Sequence, residues 1–123
     1  SGRITLEDTE EETRIRLTLR FDRAWASVVK GTEDADFVID DRDRSEGLLY
    51  VTFVGPQDEE DSGWFDWLWG GEDEHPLAGH QYQIHLDRAG EELTLITLRG
   101  PDGGEVDRRD QQALLTILRG NIT

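Results

Sequence analysis

The segment Arg14-Ile15-Arg16-Leu17-Thr18-Leu19-Arg20 alternates strictly, with Ile15, Leu17 and Leu19 on one side and Arg14, Arg16, Thr18 and Arg20 on the other. That period of two predicts a half-buried strand. The period then changes, because Trp25, Val28, Val29 and Thr32 recur at spacings of three and four. They form one face of a helix of about three turns. Asp22 is the expected N-cap, and Gly31 weakens the second half, so the helix is expected to end between Lys30 and Asp34. Phe37-Val38-Ile39-Asp40 opens a second strand, a charged connection follows to Gly47, and Leu48 to Val54 is rich in β-branched and aromatic residues. These two strands predict a hairpin, stopped by Gly55-Pro56. Alternation returns from Gln81 to Arg88, with Tyr82, Ile84 and Leu86 opposite Gln81, Gln83 and His85, and Ala89-Gly90-Glu91 turns the chain into Glu92 to Arg99 as a second hairpin. From Asp107 to Arg119 the stripe Ala113, Leu114, Ile117 and Leu118 predicts a core-facing helix that Asp107 caps and Gly120 ends.

The predicted order is β-α-β-β-loop-β-β-α. Two hairpins and two amphipathic helices make an α+β domain, an antiparallel sheet with both helices on one face. The other face, carrying Arg14, Arg16, Gln81, Gln83 and His85, is expected to be wet or covered by the long loop. Residues 1–12 hold Glu7, Asp8, Glu10, Glu11 and Glu12 with little apolar content and read as a solvated tail or linker, leaving residues 13–123 as a single domain.

Residues 55–79 form a connection longer than the ~12–15 residues beyond which loops in compact domains become unusual and often functional. It gathers three of the four tryptophans into Gly63-Trp64-Phe65-Asp66-Trp67-Leu68-Trp69-Gly70-Gly71. A run this dense cannot turn every ring inward, since neighbours on a helix differ by ~100° and strand neighbours alternate. Trp64, Phe65, Trp67, Leu68 and Trp69 are therefore the candidate partner-binding residues, with a lid folded onto the domain's own core as the alternative. Insertion into a membrane interface is opposed by Asp58, Glu59, Glu60, Asp61, Glu72, Asp73 and Glu74 around the rings.

Charge sharpens this picture. With 28 acidic against 13 basic residues in 123, the formal net charge of −15 repels phosphate backbones and excludes general nucleic-acid binding. Lys30 is the only lysine, and so acidic an arginine-dominated surface suits a salty habitat. Cysteine is absent, which removes disulfides, thiolate catalysis and Cys-based zinc sites. No run of ~18 apolar residues and no charged leader with an apolar stretch occurs, as expected of a soluble segment or a domain cut from a longer precursor.

Several segments together resemble the outer-membrane assembly lipoprotein family BamC, also called NlpB. They are Phe21-Asp22-Arg23-Ala24-Trp25 and the long stretch from Phe37 to Val51, followed in order by Gly63-Trp64-Phe65, Tyr82-Gln83-Ile84 and the terminal amphipathic helix. The resemblance covers about residues 13 to 120 and is to the family's C-terminal helix-grip domain. It implies a non-enzymatic accessory subunit of the machinery that inserts β-barrel proteins into the bacterial outer membrane. It further implies other barrel-assembly subunits as partners, and membrane association through a lipid anchor outside this chain without direct insertion. The location implied is the outer membrane, on its periplasmic side or at the cell surface.

No catalytic constellation competes with that reading. Asp40-Asp41-Arg42-Asp43-Arg44 places carboxylates together, but the interleaved arginines are expected to hold them ionised in surface pairs. His75, His80 and His85 are spaced by five, which fits neither a helical pair nor one strand face, so no metal site is expected. No GxGxxG, P-loop, HExxH or GxSxG pattern occurs, and no cofactor is expected. Helix-grip relatives in other families enclose small molecules, which makes a small-molecule or lipid carrier, with Trp25, Val28 and Val29 lining its groove, the alternative function. Core packing of those three residues is the simpler expectation.

Overall fold

Six antiparallel strands carry two helices, in a computed structural model that describes residues 3–55 and 77–122. In chain order they are β1 (Ile4–Asp8), β2 (Thr13–Leu17), α1 (Phe21–Asp34), β3 (Phe37–Asp43), β4 (Leu48–Phe53), β5 (Gln81–Gly90), β6 (Leu93–Arg99) and α2 (Arg108–Arg119). A 3₁₀ turn, Arg44–Glu46, joins β3 to β4. The sheet order is β1-β2-β6-β5-β4-β3. The α+β class and the predicted sequence of elements from β2 onward are present.

The acidic N-terminal segment departs from expectation. Ile4 to Asp8 is not a solvated tail but an edge strand, with Leu6 opposite Ile15 and Ile4 opposite Leu17. The two apolar residues pack on the core while Glu7 reaches back to Arg14, its Oε1 2.6 Å from the guanidinium Nε. The turn into β2 is closed by the Thr9 N–H donating to the Glu12 carbonyl at 2.8 Å. The short Ile-Thr-Leu-Glu alternation was outweighed in the sequence by the density of acids.

The core lies between the sheet and the helices. Ile15, Leu49, Phe53, Ile84, Ile96 and Leu114 are fully buried there, each stabilising by ~1.5–3 kcal/mol relative to exposure. α1 begins two residues earlier than an N-cap at Asp22 predicts. Arg20 holds the N-cap position without a side-chain cap, and Asp22 lies inside the first turn, 3.4 Å from the Arg20 guanidinium. The helix runs on to Asp34 through Gly31, which faces the C-terminal segment. A Cβ there would sit 2.9 Å from the Ile122 side chain and 3.1 Å from the Asn121 carbonyl oxygen. α2 is tied to the sheet by Gln111, whose Oε1 accepts from the Thr13 N–H at 2.8 Å while its Nε2 donates to the Val106 carbonyl at 2.7 Å.

Candidate interaction surface

The five residues proposed as the contact, Trp64, Phe65, Trp67, Leu68 and Trp69, lie outside the described residues, as does His75. The base of their loop is described. β4 and β5 are hydrogen-bonded neighbours, and beyond their ends the Gly79 N–H donates to the Phe53 carbonyl at 2.7 Å and the Phe53 N–H to the His80 carbonyl at 3.0 Å. Leu77 is buried in the core at the point of return. The aromatic segment is thus carried by a strand pair near the centre of the sheet, anchored on both sides.

Beside that base lies a cleft of about 580 Å³, lined by Thr52, His80, Tyr82, Pro101, Asp107 and Asp110 among others. Burial, reinforced by the Asp110 carboxylate, pushes the Tyr82 phenol up to about 12. Burial and the neighbouring Asp107 raise Asp110 above the usual carboxylate range. Among the described residues no group of three or more His, Asp or Glu is placed to hold a metal ion.

The charged stretch Asp40 to Arg44 builds structure. Asp40 falls at a β-bulge in edge strand β3 and its carboxylate accepts from the Thr52 hydroxyl at 2.6 Å. Asp43 accepts from the Ser45 hydroxyl at 2.7 Å and the Glu46 N–H at 3.3 Å, holding the 3₁₀ turn. The expected pairing with the interleaved arginines is absent from the ion pairs of the described residues. A bulge and alternating charge on an outermost strand also discourage edge-to-edge association.

Trp25 and Val28 are core residues. Trp25 stacks on Phe21 with centroids 6.0 Å apart, and Val28 is fully buried. Val29 is only partly buried and packs at the margin. Arg88 covers the other part of this aromatic pair, 3.9 Å from the Phe21 ring centroid.

The sheet face turned away from the helices is less open than its sequence implies. Gln83 is buried, its Nε2 donating to the Pro101 carbonyl at 3.0 Å and its Oε1 lying 2.9 Å from His85 Nε2. Burial, with the nearby Arg99 charge, lowers His85 below its ordinary value, against a smaller opposing effect of Asp87, and so favours the neutral ring. Thr97 stands opposite His85 and is only 4% exposed, yet its hydroxyl has no hydrogen-bond partner. Arg99, two residues on, has a buried Nε without a partner, while its Nη2 lies 3.6 Å from Glu12. Neither residue stands out in the sequence, because a threonine and an arginine on the outer side of a strand look solvated until their cover is seen.

Comparison with known proteins decides the family. The domain described as "Outer membrane protein assembly factor BamC-like C-terminal domain" matches residues 4–122. The chain belongs to the BamC C-terminal domain family. Its BamC relatives include outer membrane protein assembly factors BamC from Thiobacillus denitrificans, 31% identical over 106 residues, and from Ferrimonas balearica, 34% identical over 91. These alignments cover 83% and 74% of this chain but 29% and 23% of the relatives. A BamC from Pseudoalteromonas atlantica is 30% identical over 93 residues, 75% of this chain and 24% of that protein. The BamC match begins at residue 4, so it includes strand β1. Among the described residues no helix is long and apolar enough to cross a membrane.

Proposed function

We propose that this chain is a non-enzymatic protein-interaction domain of an outer-membrane β-barrel assembly lipoprotein. The observation that carries this is the BamC family match over residues 4–122, together with curated relatives named as outer membrane protein assembly factors. On this reading its partners are other barrel-assembly subunits. It resides at the outer membrane, on the periplasmic side or at the cell surface, held by a lipid anchor outside this chain. The contact is the segment Trp64, Phe65, Trp67, Leu68 and Trp69, supported by its aromatic density and by the anchored strand pair that carries it. The carrier reading draws no support from Trp25 and Val28, which fill the core instead of lining a groove.

Trp64→Ala combined with Trp67→Ala is the test. Binding to a reconstituted barrel-assembly complex should weaken by at least about tenfold, as for lost aromatic hot spots, with little change in thermal midpoint. Unchanged affinity would remove the loop from the contact. Loss of folding in the double variant would place the rings in the core.

A further inference from the structure

The cleft beside the base of the aromatic loop gathers three carboxylates and a phenol. Glu105 and Asp107 are exposed on the segment that leads into α2, Asp110 is half-buried in its first turn, and all three line the cleft. None of them joins an ion pair among the described residues, and Asp107 makes no capping hydrogen bond. Arg99 and Arg108 share a second hollow with Glu105 and Asp107, but Arg99 is turned to Glu12 at 3.6 Å, and Arg108 to Asp8 at 3.6 Å and the Thr9 carbonyl at 2.7 Å. Burial and Asp107 hold Asp110 above the usual carboxylate range, and Arg109 and His80 offset only part of this. The start of α2 adds about half a positive charge, too little to balance three carboxylates.

Tyr82 supplies the second observation. It is 7% exposed and lines the same cleft, and its phenol has no hydrogen-bond partner among the described residues. Asp110 acts on that phenol through its charge, without a hydrogen bond. Among the described residues the polar atoms both unmet and sealed from solvent are Thr97 Oγ1 and Arg99 Nε, so the Tyr82 oxygen stays open to the cleft it lines.

We infer that this cleft receives an arginine side chain of a partner protein, its guanidinium held by the carboxylates of Asp107 and Asp110 and by the Tyr82 oxygen. Charge complementarity selects a cation, and the spread of the acceptors selects its kind. Among the described residues no group of three or more His, Asp or Glu is placed to hold a metal ion, so the acceptors do not converge on one compact charge. A guanidinium spreads five donors over a planar, weakly hydrated fork, which suits separated acceptors flanked by the apolar Val106 and Pro101. The cleft volume of about 580 Å³ is within the ~300–1,000 Å³ of ligand sites. The inference rests on the protein-binding reading and names the chemistry of a contact beside the aromatic loop.

The test is an NMR titration of the ¹⁵N-labelled chain with a capped peptide of alternating Arg and Ser about eight residues long, at ~0.15 M salt, where attraction beyond ~8 Å is screened. The peptide should shift the amides of Thr52, Tyr82, Val106 and Asp110, and a Lys-Ser peptide should bind at least about threefold more weakly. Asp107→Asn/Asp110→Asn should weaken the Arg-Ser peptide by at least about tenfold, and Tyr82→Phe by about threefold. Glu91→Gln/Glu92→Gln removes the same charge at the turn between β5 and β6 and should change affinity by less than about twofold. Asp110→Asn should also leave the chain at least as resistant to urea at pH 7, because a carboxyl whose pKa is raised by folding destabilises the folded chain when ionised. Absence of shifts at the cleft, equal affinity for both peptides, equal losses in the two double variants, full affinity in Tyr82→Phe, or an Asp110→Asn chain less stable than the parent would each overturn the inference. Undiminished binding of the reconstituted assembly complex by Asp107→Asn/Asp110→Asn removes the cleft and spares the protein-binding reading, whereas no complex binding by the unaltered chain removes that reading itself.

Discussion

Gly47 shows how one residue fixes the path of the chain. It closes the 3₁₀ turn in the left-handed region at φ 68°, and a Cβ there would collide with the Leu86 carbonyl oxygen on the adjacent strand. The Gly47 carbonyl in turn accepts from the Leu86 N–H at 2.8 Å. Both the backbone angle and the approach to β5 exclude a side chain. Gly47→Ala should cost at least about 2 kcal/mol, from strain at positive φ plus the displaced strand. Urea unfolding measures this, and an unchanged midpoint would show that the turn relocates freely. The sequence marked Gly47 as the end of a connection, but the contact with Leu86 depends on strands distant in the chain.

At the level of elements, the strands and helices with regular periodicity were legible because one face of each is buried. Ile15 and Leu17, Tyr82, Ile84 and Leu86, and Leu114 and Leu118 all face the shared core. β1 was not legible, since two apolar residues among acids carry little periodic signal and the strand exists only because β2 offers an edge. The start of α1 was misplaced by two residues because Asp22, a favourable cap by type, pairs with Arg20 from within the first turn. Gln111 was unremarkable in the sequence, yet its Oε1 accepts the Thr13 N–H that joins α2 to β2, while its Nε2 donates to the Val106 carbonyl ahead of the helix. Gln111→Ala should therefore destabilise by ~1–3 kcal/mol, because it strands the buried Thr13 N–H. A native hydrogen-exchange experiment should show the loss concentrated at β2 and the start of α2. Uniform protection equal to the parent would mean that another acceptor replaces it.

For the whole molecule, charge dominates the response to solvent. A formal net charge of −15 destabilises the compact state by self-repulsion, and salt with a Debye length of ~3 Å at molar concentration screens it. The urea midpoint should rise from low salt to molar KCl, and equal midpoints would show that the carboxylates are too dispersed to repel. The same charge limits which partners approach, and on the proposed reading association uses a local feature that overcomes it, the aromatic segment between β4 and β5. The candidate contact was visible in the sequence as a cluster of rings, whereas the burial of Thr97 required the fold, because a threonine on the outer side of a strand looks solvated in the sequence.

The measurement that bears most directly on the protein-binding account is an NMR titration of the ¹⁵N-labelled chain with reconstituted barrel-assembly complex, following the indole N–H signals of Trp64, Trp67 and Trp69 against that of Trp25 in the core. The account predicts selective shifts or broadening of the three loop indoles while Trp25 changes no more than the overall tumbling requires. Loop indoles that stay in step with Trp25 in a sample shown to bind would contradict it.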